Sequence, residues 1–183
     1  MNSDNTPRVT EILRGAGLID FSMVPASIMA PAQRFGSAVH KATELCDKGT
    51  LDIDILSEPL IPYLDGWKKF ITDYNITIKP DEIERQFISK IWGFKGTPDR
   101  WPLVGNKRTL IDLKSSTSMY PATAIQTAAY QILLEENGIK IQQRWGVQLN
   151  NKGTYKIEVY KKISDRTVFL SALNIYKWKG ENL

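Results

Sequence analysis

Residues 108–114 (RTLIDLK) read as a strand with an acid and a cation set into an apolar run. Leu110, Ile111 and Leu113 ask for burial, and charged residues seldom sit in a buried strand without a partner. Alternate side chains of a strand share a face, so Asp112 and Lys114 project together. An exposed strand bearing an Asp–Lys pair of little energetic worth would carry the same letters. What separates the two readings is whether other chemistry-bearing residues converge on the spot.

The segment GTPDRWPLVGNKRTLIDLKSS (96–116) supplies one such residue, since Asp99 closes the expected preceding strand. Gly105-Asn106-Lys107 is a hairpin turn signal between the two. A hairpin that sets Asp99 across from Asp112 and Lys114 gathers two carboxylates and an ammonium. Clustered carboxylates repel unless a cation joins them, and hard oxygen donors favour Mg²⁺ or Mn²⁺ over zinc. Such an ion polarises a phosphoryl oxygen and lowers the pKa of bound water. Lys114 would then orient or deprotonate that water, or neutralise developing charge.

The rest of the chain frames this segment. Residues 1–75 read as helical. Thr10 caps a short helix through Arg14 that Gly15 and Gly17 end, a second helix spans 34–48, and a third spans 57–74. The period then changes: 82–90 alternate as a partly exposed strand, and strands follow in 91–104 and 108–114. A helix runs from Pro121 to Gly138, strands 142–149 and 154–160 flank an Asn/Gly-rich turn, and a helix spans 164–178. This order predicts an α/β fold with a mixed central β-sheet flanked by helices and an N-terminal helical segment. One domain over 1–183 is expected, with His40 in the helical stretch 1–75 and the α/β core in 76–183.

Composition removes several classes of function. His40 and Cys46 are the only residues of their kinds. They exclude an internal disulfide and any zinc site built mainly from Cys and His. No apolar run reaches membrane-spanning length, and the first residues lack a secretory leader pattern, so a soluble cytoplasmic protein is expected. No Gly-x-Ser-x-Gly elbow, Walker loop or Gly-x-Gly-x-x-Gly occurs. The net charge of +4 is uneven: residues 1–139 sum to −2 and residues 140–183 to +6. The basic stretch interleaves Trp145, Tyr155, Tyr160 and Trp178 with Lys and Arg. It reads as a nucleic-acid backbone contact with salt-sensitive binding, or as an ordinary solvated surface.

His40 and Glu44 share a helical face, as do Gln126 and Tyr130. The order His40, Gly96-x-x-Asp99, Asp112-x-Lys114, Gln126-x-x-x-Tyr130 resembles the RecB-like branch of the PD-(D/E)XK nuclease superfamily, with Pro98-Asp99 giving its first two letters. The runs VTEIL, AGLIDFS and FGSAVHKATEL resemble phage and prophage nucleases of this branch, and the resemblance covers about residues 8–131. It implies a restriction-endonuclease-like αβββαβ core. It also implies metal ligation by His40, Asp99, Asp112 and the Leu113 backbone carbonyl, with Lys114 as the catalytic lysine. Gln126 and Tyr130 would face the site and the DNA. Glu84 stands where many relatives carry a Glu near the site, although a solvent-facing Glu fits the letters equally. Glu44 would reach the metal's outer shell or pack against a basic group. Arg34, Ser115 and Ser116 are candidate DNA contacts.

The function implied is a Mg²⁺- or Mn²⁺-dependent DNA nuclease with one or two ions. It would be an exonuclease acting on linear ends in phage-type recombination or repair, in the bacterial host cytoplasm. A single-strand annealing or helicase partner would be a separate chain. Two alternatives remain open: a non-catalytic DNA-end binding module of the same fold, and a site- or structure-specific endonuclease.

Overall fold

A computed structural model describes residues 6–183; the first five, on which some of the reading of the N-terminus rests, lie outside the described residues. Three helices come first: α1 (Val9–Gly15), α2 (Ala26–Asp47) and α3 (Ile61–Asp73). α1 starts earlier than its letters suggest. The Glu11 carboxylate accepts the Arg8 N–H at 2.8 Å, so the cap lies at Arg8 and Thr10 falls inside the helix. α2 begins eight residues before the expected position 34 and runs through Pro31. That proline removes a bond to the Ser27 carbonyl on an exposed flank, where the loss is tolerable. α3 matches its apolar stripe and buries Leu64, Trp67 and Phe70.

The expected strand over 82–90 is broken in the structure. Pro80–Glu82 forms a single 3₁₀ turn, Ile83 makes one bridge to Arg100, and Glu84 takes a left-handed backbone with φ 42°. A left-handed residue cannot continue a ladder, so only β1 (Phe87–Ser89) remains, paired with β2 (Phe94–Gly96). The expected strand over 91–104 likewise reduces to β2 and β3 (Leu103–Val104). β4 (Lys107–Lys114), α4 (Ala122–Glu136), β5 (Gln143–Leu149), β6 (Tyr155–Val159) and α5 (Ser164–Asn182) follow, close to their expected bounds.

The larger sheet has the order β3-β4-β5-β6, parallel between β4 and β5 and antiparallel elsewhere. It is the expected mixed sheet, with α4 as the crossover that a parallel pair requires. Alternation along β4 divides the molecule. Leu110 packs with Val9, Ile12 and Leu13 of α1, Ile132 and Leu133 of α4, and Phe169 of α5. Ile111 and Leu113 pack instead with Val39 of α2 and with Trp67 and Phe70 of α3. Each such buried side chain contributes about 1.5–3 kcal/mol relative to exposure. Asp112 falls on the α4 face, between two layers that hold the strand rigidly. Among the described residues, no helix is long and apolar enough to cross a membrane.

Candidate active site

β4 loses its strand neighbour on one side just before its end. Ile111 exchanges both backbone bonds with Arg100, and beyond that point side chains take over the edge. The Asp99 carboxylate accepts the Leu113 N–H at 2.7 Å. His40 Nε2 lies 3.1 Å from the Leu113 carbonyl oxygen and donates to it when that nitrogen carries the proton. This leaves the His40 Nδ1 lone pair pointing toward Asp99 Oδ1 (3.6 Å) and Glu84 Oε1 (3.9 Å). A metal-binding imidazole usually donates its second N–H to a carbonyl or carboxylate in this way. The Leu113 oxygen, with two lone pairs, orients the ring and keeps one acceptor site.

His40, Glu84 and Asp99 each bring a donor atom within 4.8 Å of the other two, which is a set that could hold a metal ion. Asp112 is not of this trio. Its Oδ2 lies 2.6 Å from Lys114 Nζ, and this buried ion pair stands within the field of Asp99 and His40. The mix of one imidazole with several carboxylate oxygens fits Mg²⁺ or Mn²⁺.

Lys114 also donates to Gln126 Oε1 at 3.3 Å, and Gln126 Nε2 donates to the Tyr130 hydroxyl at 3.0 Å. The helix α4 thus braces the lysine through the two residues that its four-residue spacing puts on one face. Burial pushes the Asp112 carboxyl up from its ordinary pKa; Lys114 pulls it back and Asp99 pushes it further up. Burial works against the Lys114 ammonium, but the carboxylates of Asp112 and Asp99 outweigh it and hold the lysine above its usual value. Burial, with Asp112 and Asp99 behind it, keeps the Tyr130 phenol neutral. Burial and then the Asp99 charge raise the Glu84 carboxyl. Carboxylates crowded to this degree repel, as expected of a site that a cation completes.

Behind the cluster stands a residue that the letters did not single out. Arg100 is 2% exposed and donates from Nε to Asp47 Oδ2 at 2.7 Å and from Nη1 to the Asp99 backbone carbonyl at 2.7 Å. Its Nη1 also reaches Glu84 Oε1 at 3.4 Å. Trp67 Nε1 donates to the second Asp47 oxygen at 2.8 Å, and the guanidinium lies 5.8 Å from the Trp67 ring centroid. The only sequence signal was position: Arg100 follows Asp99 directly.

The remaining candidates divide. Glu84 belongs to the site. Glu44 sits between Lys41 (2.8 Å) and Lys48 (2.6 Å), the basic-group alternative, while still bordering the cleft over His40 and Glu84. Those two lysines lower its pKa. Arg34 is exposed on α2, about one and two-thirds turns before His40. Ser115 faces Gly36 of α2, whose added Cβ would stand 3.4 Å from its Oγ. Ser116 bonds within its own loop and accepts from Gln148. Four of the nine basic residues in 140–183 are committed internally: Arg144 pairs with Asp165, Arg166 with Glu135, and Lys177 and Lys179 bond backbone carbonyls. Trp145 and Tyr160 are buried, and Tyr155 bonds Asp73.

No protein-family model matches the chain, and no curated protein matches it in sequence. Solved structures do share its fold. A candidate exonuclease from Eubacterium rectale superposes with a TM-score of 0.53 at 11% identity, over 81% of this chain and 68% of the other. The protein SSO0001 superposes with a TM-score of 0.50 at 14% identity, over 98% of this chain and 78% of the other. Identities this low speak to the fold alone.

Proposed function

We propose that this chain is a single-domain, metal-dependent DNA exonuclease of the RecB-like PD-(D/E)XK type. The observation that carries this reading is the meeting of His40, Glu84, Asp99, Asp112 and Lys114 at the end of β4, on the side where it lacks a strand neighbour, from four separate stretches of sequence. The exonuclease name borne by a protein of the same fold adds support.

His40, Glu84, Asp99 and Asp112 would hold one or two Mg²⁺ or Mn²⁺ ions, with the Leu113 carbonyl in reach. When bound, such an ion supplies Lewis acidity toward a phosphodiester and its attacking water. The protein supplies the rest. Asp99 and His40 fix one another through the Leu113 peptide, so the donors are set before substrate arrives. Lys114, kept cationic by its carboxylates, orients the water and offsets charge gathering on the phosphate oxygens. Gln126 and Tyr130 hold the ammonium in register. Arg34, Ser115 and Ser116 are the proposed contacts to the DNA backbone. Linear ends are the proposed substrate, in phage-type recombination or repair in a bacterial cytoplasm, with an annealing or helicase partner as a separate chain.

The test uses end-labelled linear and closed circular DNA with Mg²⁺ or EDTA. Linear DNA alone should be degraded, and only with the metal. Lys114→Ala should lower the rate about 10²–10⁴-fold with the fold retained by circular dichroism. Unchanged activity in that variant would overturn the assignment of Lys114, and degradation of circular DNA would favour an endonuclease.

A further inference from the structure

Next to the metal-binding cluster lies a second cavity of about 480 Å³, largely apolar. Lys114 and Gln126 form one stretch of its wall, and Lys114 and Arg14 border both this cavity and the cleft over His40 and Glu84. The two spaces are therefore neighbours that share the lysine as a common wall. Phe21, from the loop between α1 and α2, and Tyr120, from the loop before α4, meet edge to face in this cavity, with ring centroids 5.8 Å apart. Neither ring belongs to either core, and Tyr120 is 51% exposed. Arg14 is exposed at the rim, with no acid paired to it among the described residues. Asp20, the acid on this rim, is taken up by the Ser22 N–H at 2.8 Å within its own loop.

An aromatic, apolar recess edged by a free guanidinium fits a nucleotide. The base goes against the rings, and its phosphate lies toward Arg14 and Lys114. Only an unpaired base offers its face, because bases inside a duplex are covered on both sides. We infer that this recess receives the unpaired base of the terminal nucleotide whose phosphate is presented to the cluster. The inference rests on the nuclease reading and adds a subsite to it. The recess then selects frayed or single-stranded ends, and Phe21 and Tyr120 stack on that base without touching the reacting atoms.

The experiment measures binding by anisotropy in EDTA, so that no hydrolysis intervenes. The probes are short single-stranded oligonucleotides labelled at one end, with the other end, 5′ or 3′, carrying either a base or an abasic residue. The wild-type chain should bind the intact end about tenfold more tightly than the abasic end, for one of the two polarities. Phe21→Ala with Tyr120→Ala should remove that preference, and Tyr120→Trp, which keeps a ring, should retain it. Thermal unfolding of each variant checks the fold. Equal binding of base and abasic ends by the wild type overturns the inference, as does a preference that survives in the double alanine variant. Hydrolysis of the same DNA in Mg²⁺ reads the nuclease assignment separately. Cleavage without base preference overturns the subsite alone, preference without cleavage overturns the nuclease reading alone, and absence of both overturns both.

Discussion

Arg100 links the ends of three segments that otherwise have no reason to meet: Asp47 at the close of α2, Glu84, and the backbone of Asp99. A guanidinium presents its donors in a rigid fork, so one side chain fixes several acceptors at set angles. Burial raises the Asp47 carboxyl, and Arg100 is the charge that pulls it back. Removing the arginine leaves a carboxylate of 6% exposure without its cation. Arg100→Met should cost about 3–5 kcal/mol in urea unfolding. Arg100→Met combined with Asp47→Asn should recover some of that loss, because no buried charge is then left alone. At this scale the sequence was legible where residues recur in a pattern, as with Asp112, Lys114, Gln126 and Tyr130, which the structure brings together. It was silent on Arg100 and Asp47, whose role comes from a contact across 53 residues. It left Glu84 undecided because φ 42° reverses where an alternating pattern would send the side chain.

At the scale of elements, α4 and β2 approach closely beside Tyr130, whose hydroxyl holds the Gln126 that bonds the lysine. The close approach is made at Gly96, where an added Cβ would stand 2.7 Å from the Tyr130 ring and 3.0 Å from Leu133. The glycine of Gly96-x-x-Asp99 is thus a packing requirement of the helix that braces Lys114. Gly96→Ala should destabilise by about 1–3 kcal/mol. It should also lower kcat more than it raises KM, since the displaced ring carries Gln126 with it. A stability change with kcat intact would separate the packing role from the bracing role. α3 was readable because it buries one apolar stripe, and α4 because apolar and small residues cover most of its circumference. β1 to β3 were misread as long strands because edge pieces of two or three residues owe their conformation to neighbours such as Arg100 and Ile111, not to local alternation. The early start of α2 was hidden by Pro31, which in most helix interiors would signal an end.

For the whole molecule, the direction of β4 separates two cationic regions. The cluster lies at the strand's C-terminal end, the usual binding edge of an α/β sheet. Lys107, Lys161 and Lys162 border a cavity at the opposite end, which seven residue steps of strand put about 23 Å away. The excess positive charge of residues 140–183 is therefore mostly distant from the chemistry or paired within the fold. Charge reversal of Lys161 and Lys162 should leave DNA affinity nearly unchanged. Arg34→Ala, on the helix that carries His40, should weaken it and reduce the slope of log affinity against log salt by about 0.9, the share of a single phosphate neutralised by one cation. Fluorescence titrations at several salt concentrations read both; the opposite ranking would move the DNA path to the far end.

Glu84 brings these scales together. Its backbone adopts a conformation that glycine takes freely, and burial, with Asp99 beside it, raises the pKa of its carboxyl against the pull of Arg100 and His40. Both features oppose persistence of the fold when no cation is present. Glu84→Gly should then unfold at no lower urea concentration than the parent in EDTA, while losing most of its Mg²⁺-dependent stabilisation. A chain selected for durability alone would discard this side chain, and thermostabilising substitutions screened without a metal would converge on it. For anyone engineering this scaffold, a gain in metal-free stability at Glu84 would come with a loss of metal binding.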